Sequence, residues 1–382
     1  MNDQGIGKLK LERRYDIDWL RVLAVLLLFY VHPAKIFYTY GPWYVQNLHK
    51  SKLLSVLTLL MEHWHMQLFF LLAGAATLFA LRFRSGGEYV KERFKRLLIP
   101  YVFGLLVIVP PQLYIEMFGF RGYSYVDFYP NFFDPEFTRG FDMGHLWFIA
   151  YLFVFSLLAL PLFLFLKRET GRRVVKGLAS FFSIPGMIFL FVLPIMLMDY
   201  LLYDFYPNPF YFFTFFVLGY LILADERFEE AIGKSKLIAL IIGILWFAVW
   251  LTMVTQNIRT PFWFGLVSRG VITWCSLVAI MGYGKRLLNF TNRFLKYQSE
   301  ASYPVYILHQ TVIIAIGYFV IRWKLGVLPK FVIVVVGSLL VTFAIYEILV
   351  KRTNLTRFLF GMRRKRKLHP VQAAPKEKGT AE

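Results

Sequence analysis

The sequence predicts an all-α, polytopic membrane protein with about ten transmembrane helices around a shared polar interior. Of its 382 residues, 58% are hydrophobic and only 17% are charged. Soluble domains carry about a quarter charged residues. The apolar residues are gathered in runs of roughly twenty, the length that an α-helix needs to cross a bilayer. These two observations together predict repeated membrane crossing.

Ten runs are long and apolar enough to be spans. They cover residues of about 19–40, 55–81, 97–117, 144–166, 184–202, 209–224, 236–256, 262–283, 302–321 and 331–350. The first run follows a charged leader and lacks a small-residue cleavage site, so we expect a span and not a cleaved signal peptide. We therefore divide the chain into a leader (1–18), one transmembrane domain (19–350) and a basic tail (351–382) that we expect to be disordered.

The net charge of +20 is distributed unevenly along the chain. Lys and Arg residues concentrate in the leader, the loops at 82–96, 167–183, 225–236 and 284–301, and the tail. Basic residues in alternate loops follow the positive-inside rule, which places both termini in the cytoplasm. We expect a multi-pass protein of the cell (inner) membrane whose partner is the lipid bilayer and not nucleic acid. The sequence leaves the oligomeric state open, a homo-oligomer included.

Arg21 and His32 stand out in the first expected span. Eleven residues correspond to nearly three helical turns, so both side chains project from one face, about 16 Å apart along the axis. Ionisable groups within a span are costly and indicate function by default. A neutral imidazole can take a proton from a hydroxyl or attack an acyl carbon. The alternative is a structural histidine bonded to a carbonyl near Pro33, whose missing N–H leaves an acceptor free.

Arg93 and Arg96 precede the third expected span and are neighbours on a helix. Two guanidinium groups at a cytoplasmic helix entrance suit phosphate groups. Anchoring of the span by the positive-inside rule explains either arginine alone, but explains less well a pair that faces the same interface as Arg21.

Other spans carry isolated polar groups. His63 and His65 are two residues apart and are expected on different sides of a helix, so we reject a zinc site and expect no metal. The only cysteine, Cys275, lies inside a span and can form no intramolecular disulfide. His145, Arg269, and His309 with Gln310 are further candidates for a shared polar interior, which a transporter would also have.

The largest non-cytoplasmic segment, 118–143, is rich in aromatic and acidic residues such as Tyr123, Tyr125, Asp127 and Asp142. It is either a lip that binds sugar or a solvated loop with interfacial aromatic anchors. The abundance of aromatic residues throughout the chain favours the second interpretation.

Three motifs together resemble a known family: Arg21-x10-His32 in the first span, Arg93-x-x-Arg96 before the third, and Tyr303-x-x-Tyr306-x-x-His309-Gln310. They are similar to those of the acyltransferase-3 family of integral membrane acyltransferases. The Asp18-Trp19-Leu20-Arg21 opening, the second-span motif and the short outer loops look most similar to its glucan-modifying branch, the glucan succinyltransferase-like proteins. The resemblance covers residues 14 to 350.

The resemblance implies ten helices around a tunnel, with acyl-CoA entering from the cytoplasm and a carbohydrate acceptor outside. It implies that His32 is catalytic and that Arg21, Arg93 and Arg96 hold the donor. Residues that would line the substrate site are Trp147, His309, Tyr306 and His65.

The chain departs from the family pattern at two places. Met66-Gln67-Leu68-Phe69-Phe70 has glutamine where members often have proline, and Trp147-Phe148-Ile149-Ala150-Tyr151 is not followed by the glutamate that many members carry. The second departure leaves His32 without an identified acid–base partner.

The sequence thus predicts a membrane O-acyltransferase that moves an acetyl or succinyl group from acyl-CoA to a hydroxyl of an exported or cell-surface carbohydrate. His32 would act as general base or carry the acyl group. The alternative function is a transporter or exporter of a glycan or small solute.

Overall fold

The computed structural model describes residues 13–119, 122–138 and 143–364, and within these ranges every regular element is a helix. Most of the expected leader, the tail beyond Arg364 and Asp142 of the outer segment lie outside the described residues.

The α-helices in chain order are α1 (Tyr15–Lys35), α2 (Lys52–Glu62), α3 (His65–Phe83), α4 (Gly86–Arg93), α5 (Ile99–Val107), α6 (Pro110–Phe118), α7 (Tyr125–Asn131), α8 (Pro135–Thr138), α9 (Trp147–Leu158), α10 (Leu160–Lys167), α11 (Glu169–Phe182), α12 (Val192–Leu201), α13 (Pro209–Ala224), α14 (Glu226–Thr255), α15 (Phe262–Leu287), α16 (Arg293–Val320), α17 (Val327–Ile345) and α18 (Asn354–Leu359). Two 3-10 segments (Gly144–Leu146 and Met187–Phe191) and two π-helical segments (Phe94–Leu98 and Tyr346–Val350) adjoin them.

Seven helical stretches of the described chain are long and apolar enough to cross a membrane: Tyr15–Lys35, Lys52–Phe83, Gly86–Phe118, Glu226–Thr255, Phe262–Leu287, Arg293–Val320 and Val327–Val350. Two bent pairs raise the number to 9 if each pair is one span: Gly144–Leu158 with Leu160–Lys167 at 47°, and Glu169–Phe182 with Met187–Leu201 at 119°. The remaining expected span corresponds to α13, a shorter apolar helix. The polytopic all-α class is confirmed, and the count of ten stays a prediction.

The helices that hold the functional side chains pack closely. A Cβ added to Gly219 on α13 would lie 1.8 Å from the Leu71 carbonyl oxygen on α3, and one added to Gly74 would lie 1.9 Å from the Phe216 oxygen. Only glycine permits this backbone contact, which is a common way for helices to associate in membranes. Helix α1 packs against α3 and α16, and α16 in turn packs against α17.

The basic segments meet at one end of the bundle, which we call the basic end. Their contacts join Arg14 with Glu229, Glu229 with Lys285, Arg227 with the Lys176 carbonyl, Lys167 with the Leu81 carbonyl, and Arg357 with Glu300. At the opposite end, Lys330 on α17 donates to Asn47 in the loop after α1, at 2.9 Å. The described N-terminal and C-terminal residues therefore lie at the same end of the bundle.

Candidate active site

A cavity of about 960 Å³ lies within the bundle and reaches the end opposite to the basic end, where Tyr40, Trp43 and Tyr206 from the connecting loops line it. Its polar and charged lining comes from α1, α2, α3, α15, α16, the residue after α2 and the segment before α9. These lining residues are His32, Lys35, Glu62, His63, His65, Gln67, His145, Arg269, Tyr306 and Gln310.

His32 lies on the cavity wall one residue before Pro33, near the end of α1. Its ring stacks on Trp43, with centroids 5.9 Å apart and planes at 25°. Its Nδ1 is buried and makes no hydrogen bond to any described residue. The alternative from the sequence, a histidine bonded to a nearby carbonyl, is therefore not observed.

Three imidazoles from α1, α16 and the segment before α9 form a row. The ring centroids of His32 and His309 are 5.0 Å apart, and those of His309 and His145 are also 5.0 Å apart. His309 is fully buried and its Nδ1 lies 2.5 Å from the Tyr306 carbonyl oxygen. The bond lies within one helix, because the backbone carbonyl three residues earlier is within reach of the His309 side chain.

His145 differs from the other two because protein groups contact both of its ring nitrogens. Its Nε2 lies 2.9 Å from the Ile307 oxygen, and its Nδ1 lies 3.4 Å from Nε2 of the buried Gln112. Gln112 also accepts a hydrogen bond from Gln310 at 2.9 Å. This network fixes the orientation of the His145 ring.

The structure brings most of the predicted substrate residues together. His65, Trp147 and Tyr306 line the cavity with His32, while His309 lies behind the wall in contact with His32. His65 Nε2 lies 2.7 Å from the Ala24 oxygen and so ties α3 to α1. Each predicted position is thus fixed by a contact with another helix or by aromatic packing.

His63 and His65 differ from the expectation based on one continuous helix. A break between α2 and α3 separates them, and both line the cavity. The His63 Nδ1 lies 2.8 Å from the Leu59 oxygen and its ring packs edge-on against Trp250. Among the described residues, no group of three His, Cys, Asp or Glu side chains could hold a metal ion.

The three predicted donor-binding arginines do not line the cavity. Arg21 forms an ion pair with Asp18 at 2.8 Å, and Arg96 pairs with Glu92 at 3.1 Å. Arg93 lies over the Tyr89 ring, with its guanidinium carbon 4.4 Å from the centroid, and its buried Nε has no described hydrogen-bond partner.

Arg96 lies in a group of like charges that the sequence motif did not reveal. Arg84, Arg93 and Arg363 are all within electrostatic range of Arg96, and Glu92 is shared between Arg84 and Arg96. Arg84 precedes α4 and Arg363 follows α18, so only the tertiary fold brings them to Arg96. We call these four residues the arginine cluster.

Arg269 is a charged residue inside an expected span, and the structure shows how its charge is accommodated. It lines the cavity from α15, its Nη1 bonds both carboxylate oxygens of Asp199 at 3.0 and 3.3 Å, and its guanidinium carbon lies 5.1 Å from the Tyr211 ring centroid. Asp199 is only 1% exposed. An aspartate within an expected span was the available signal for this pair, and our sequence interpretation did not use it.

A second ion pair on the wall, Lys35 with Glu62 at 2.8 Å, was also missed. Lys35 is three residues after His32 and so shares its helix face, which was the available signal. Because Asp199 pairs with Arg269 and Glu62 with Lys35, no unpaired carboxylate of the described residues lies beside His32.

Comparison with known proteins assigns the family. The family model described as an acyltransferase domain matches residues 14–347. The chain therefore belongs to the acyltransferase-3 family and is a multi-pass membrane acyltransferase, as the motifs predicted. No solved structure matches the chain.

Curated relatives agree with this assignment. The chain is 23% identical over 377 residues to the glucans biosynthesis protein C of Escherichia coli strain SMS-3-5 / SECEC, covering 92% of this chain and 94% of the relative. It is 22% identical over the same length to the protein of that name from strain K12, with the same coverage.

We predict that Asp199→Asn destabilises the protein, because it leaves the Arg269 charge without its buried partner. Breaking a buried ion pair from one side costs about 3–5 kcal/mol, and the partial exposure of Arg269 to the cavity reduces that to roughly half. The midpoint of thermal unfolding in detergent should fall clearly, and the double variant Asp199→Asn/Arg269→Gln should recover part of the loss.

Glu169→Gln is the matched control, since its exposed pair with Arg172 lies at the surface. Equal unfolding midpoints for Asp199→Asn and Glu169→Gln would contradict a structural role for the Asp199–Arg269 pair.

Proposed function

We propose that the protein transfers a short acyl group, acetyl or succinyl, from acyl-CoA to a hydroxyl of an exported or cell-surface carbohydrate. The observation that carries this proposal is the His32 imidazole, whose Nδ1 has no hydrogen-bond partner among the described residues, at the wall of a cavity that aromatic and polar side chains line together. Membership of an acyltransferase family favours this function over the transporter that the sequence also allowed.

The arginine cluster supports a donor that carries phosphate groups. Arg96 feels the like charges of Arg84, Arg93 and Arg363, while Glu92 pairs with Arg84 and Arg96 alone, so an anion that enters the cluster would relieve repulsion. Arg–phosphate pairs are strong and often bidentate, which suits the phosphates of CoA. The unpartnered Nε of Arg93 is a ready donor for such a group. Arg21 lies near the start of α1, at the basic end of the bundle, and remains the third proposed donor contact.

The cavity supports a carbohydrate acceptor. Its volume suits a small-molecule site, and its wall combines aromatic rings such as Trp43, Trp147 and Trp250 with polar groups that fix orientation. Tyr and Trp rings provide large contact areas with a polar edge. The relatives named glucans biosynthesis protein C favour a glucan as acceptor. None of the described residues of the outer segment 118–143 lines the cavity, which favours its interpretation as a loop with aromatic anchors.

The position of the basic end supports one orientation of the bundle in the membrane. Since basic residues favour the cytoplasmic side, we place the basic end and both termini in the cytoplasm and the cavity mouth on the outer side of the inner membrane. The donor would then approach His32 from the basic end and the acceptor from the mouth. His32 would either remove the proton of the acceptor hydroxyl or carry the acyl group as an acyl-imidazole.

We predict that His32→Ala lowers kcat for transfer of radiolabelled acyl groups from acyl-CoA to a glucan acceptor by a factor of about 10²–10⁴, the usual contribution of a general acid–base group. The assay uses the purified protein in lipid nanodiscs and counts label in the isolated glucan. His49→Ala is the control, because His49 is an exposed histidine of the loop after α1. Transfer by His32→Ala at the rate of the His49→Ala control would refute the assignment of His32.

We predict that Arg93→Gln raises KM for acyl-CoA by about 10- to 100-fold, the equivalent of one charge-assisted hydrogen bond of about 1.5–3 kcal/mol. The same variant should leave KM for an acyl-pantetheine donor, which has no phosphate, nearly unchanged. The ratio of the two KM values is the measurement that isolates the phosphate contact.

Arg173→Gln serves as the control for Arg93→Gln, since Arg173 is a largely exposed arginine on α11. A parallel rise of KM for both donors in Arg93→Gln would show that Arg93 affects the site without contacting phosphate.

A further inference from the structure

We propose that His309 is the positioning residue behind His32 and that it takes up the proton which leaves His32 Nδ1 during acyl transfer. This inference rests on the proposed function. It supplies the acid–base partner of His32 that the sequence did not identify.

The two rings are close enough to share a proton. Their centroids lie 5.0 Å apart at an interplanar angle of 47°. Because ring nitrogens lie on the rim of the imidazole, this separation allows a direct hydrogen bond between a nitrogen of each ring. Phe29, one turn before Pro33 on α1, packs against the edge of His309 and helps to hold it there.

Each ring has one buried nitrogen without a partner among the described residues, Nδ1 of His32 and Nε2 of His309. The Nδ1 of His309 contacts the Tyr306 carbonyl, which only accepts, so this nitrogen carries the proton. In the neutral ring Nε2 is then an acceptor. Neither atom is hydrogen-bonded in the structure, the other ring included. Buried polar atoms are nearly always hydrogen-bonded, so two complementary unpaired atoms in adjacent rings are suited to bond once the rings turn toward each other.

The surrounding groups offer no better partner for His32. His145 is occupied at both ring nitrogens by Ile307 and Gln112. The carboxylates near the cavity, Glu62 and Asp199, are paired with lysine and arginine. His65 also lines the cavity, but its ring makes no described contact with that of His32. Of the two described rings that contact His32, Trp43 and His309, only His309 has a nitrogen that can accept a proton.

The proton movements balance over the reaction. With Nδ1 of His32 enclosed, its Nε2 is the nitrogen available to the acceptor. The acceptor O–H bond breaks and its proton goes to Nε2 while the Nδ1 proton passes to His309 Nε2. The acceptor oxygen bonds to the acyl carbon, the C–S bond breaks with its electrons on sulfur, and the proton returns through His32 to the thiolate.

The same arrangement serves an acyl-imidazole route. When Nε2 of His32 attacks the acyl carbon, the C–S bond breaks with its electrons on sulfur and the Nδ1 proton passes to His309, so acylated His32 is a neutral acyl-imidazole and not a buried acyl-imidazolium cation. The proton returns to Nδ1 when the acceptor oxygen takes the acyl carbon, the C–N bond breaks and the hydroxyl proton goes to the thiolate. The role of His309 is thus independent of which route His32 follows.

The decisive variant is His309→Gln, because a glutamine oxygen can accept a hydrogen bond from His32 but cannot take its proton. We expect kcat to fall about 100-fold with KM for donor and acceptor unchanged within about twofold. A proton inventory plots kcat against the deuterium fraction of H₂O–D₂O mixtures. We expect a curved plot for the wild-type protein, in which two protons move, and a straight line for His309→Gln, in which only one moves.

His145→Gln is the matched control, as it changes the other neighbour of His309 and should keep the curved inventory. His309→Phe, which keeps a ring without nitrogen, tests the same point if the glutamine variant fails to fold, as judged by size-exclusion elution. Wild-type kcat in His309→Gln, or a lowered kcat with a curved inventory, would overturn this inference. Failure of the wild-type protein to transfer any acyl group would instead overturn the proposed function on which it rests.

Discussion

The arrangement of the site depends on one constraint: ionisable side chains at span depth must find their partners inside the bundle. A charged or polar group facing hydrocarbon is costly, so helices are held together wherever such groups meet. Asp199 with Arg269 joins α12 to α15, and His65 with the Ala24 carbonyl joins α3 to α1. Other buried polar atoms of the described residues, such as the Tyr303 and Tyr346 hydroxyls, also lack a partner, but His32 is set apart because its unpaired imidazole lies on the cavity wall.

The polar side chains that we assign to function form two separate groups. The arginine cluster lies at the basic end, and the histidine row lies along the cavity that reaches the other end. Arg21 and His32 lie in opposite halves of α1. This helix therefore extends from the basic end to the histidine row without bringing its two polar residues together. This separation suits a reaction in which donor and acceptor approach the same imidazole from different sides of a membrane.

Helical periodicity and chain-local charge predicted what lies along single helices and in single loops: the shared face of Arg21 and His32, and the grouping of the basic segments at one end. Contacts between helices distant in sequence were not predictable, because their formation depends on packing and not on spacing. The His32–His309 pair, the addition of Arg84 and Arg363 to the arginine motif, and the Asp199–Arg269 pair are of this kind. The break between α2 and α3 was not predicted either, because the apolar periodicity continues through it. This break allows both His63 and His65 to line the cavity.

The central claim is that acyl transfer passes through the bundle from the basic end to the cavity mouth. It is tested most directly in proteoliposomes of known protein orientation, with labelled acyl-CoA supplied on one side and glucan on the other. We predict labelled glucan only when acyl-CoA is on the side of the basic end and glucan on the side of the mouth. Labelling in the reverse arrangement, or only when both substrates share one side, would contradict the account.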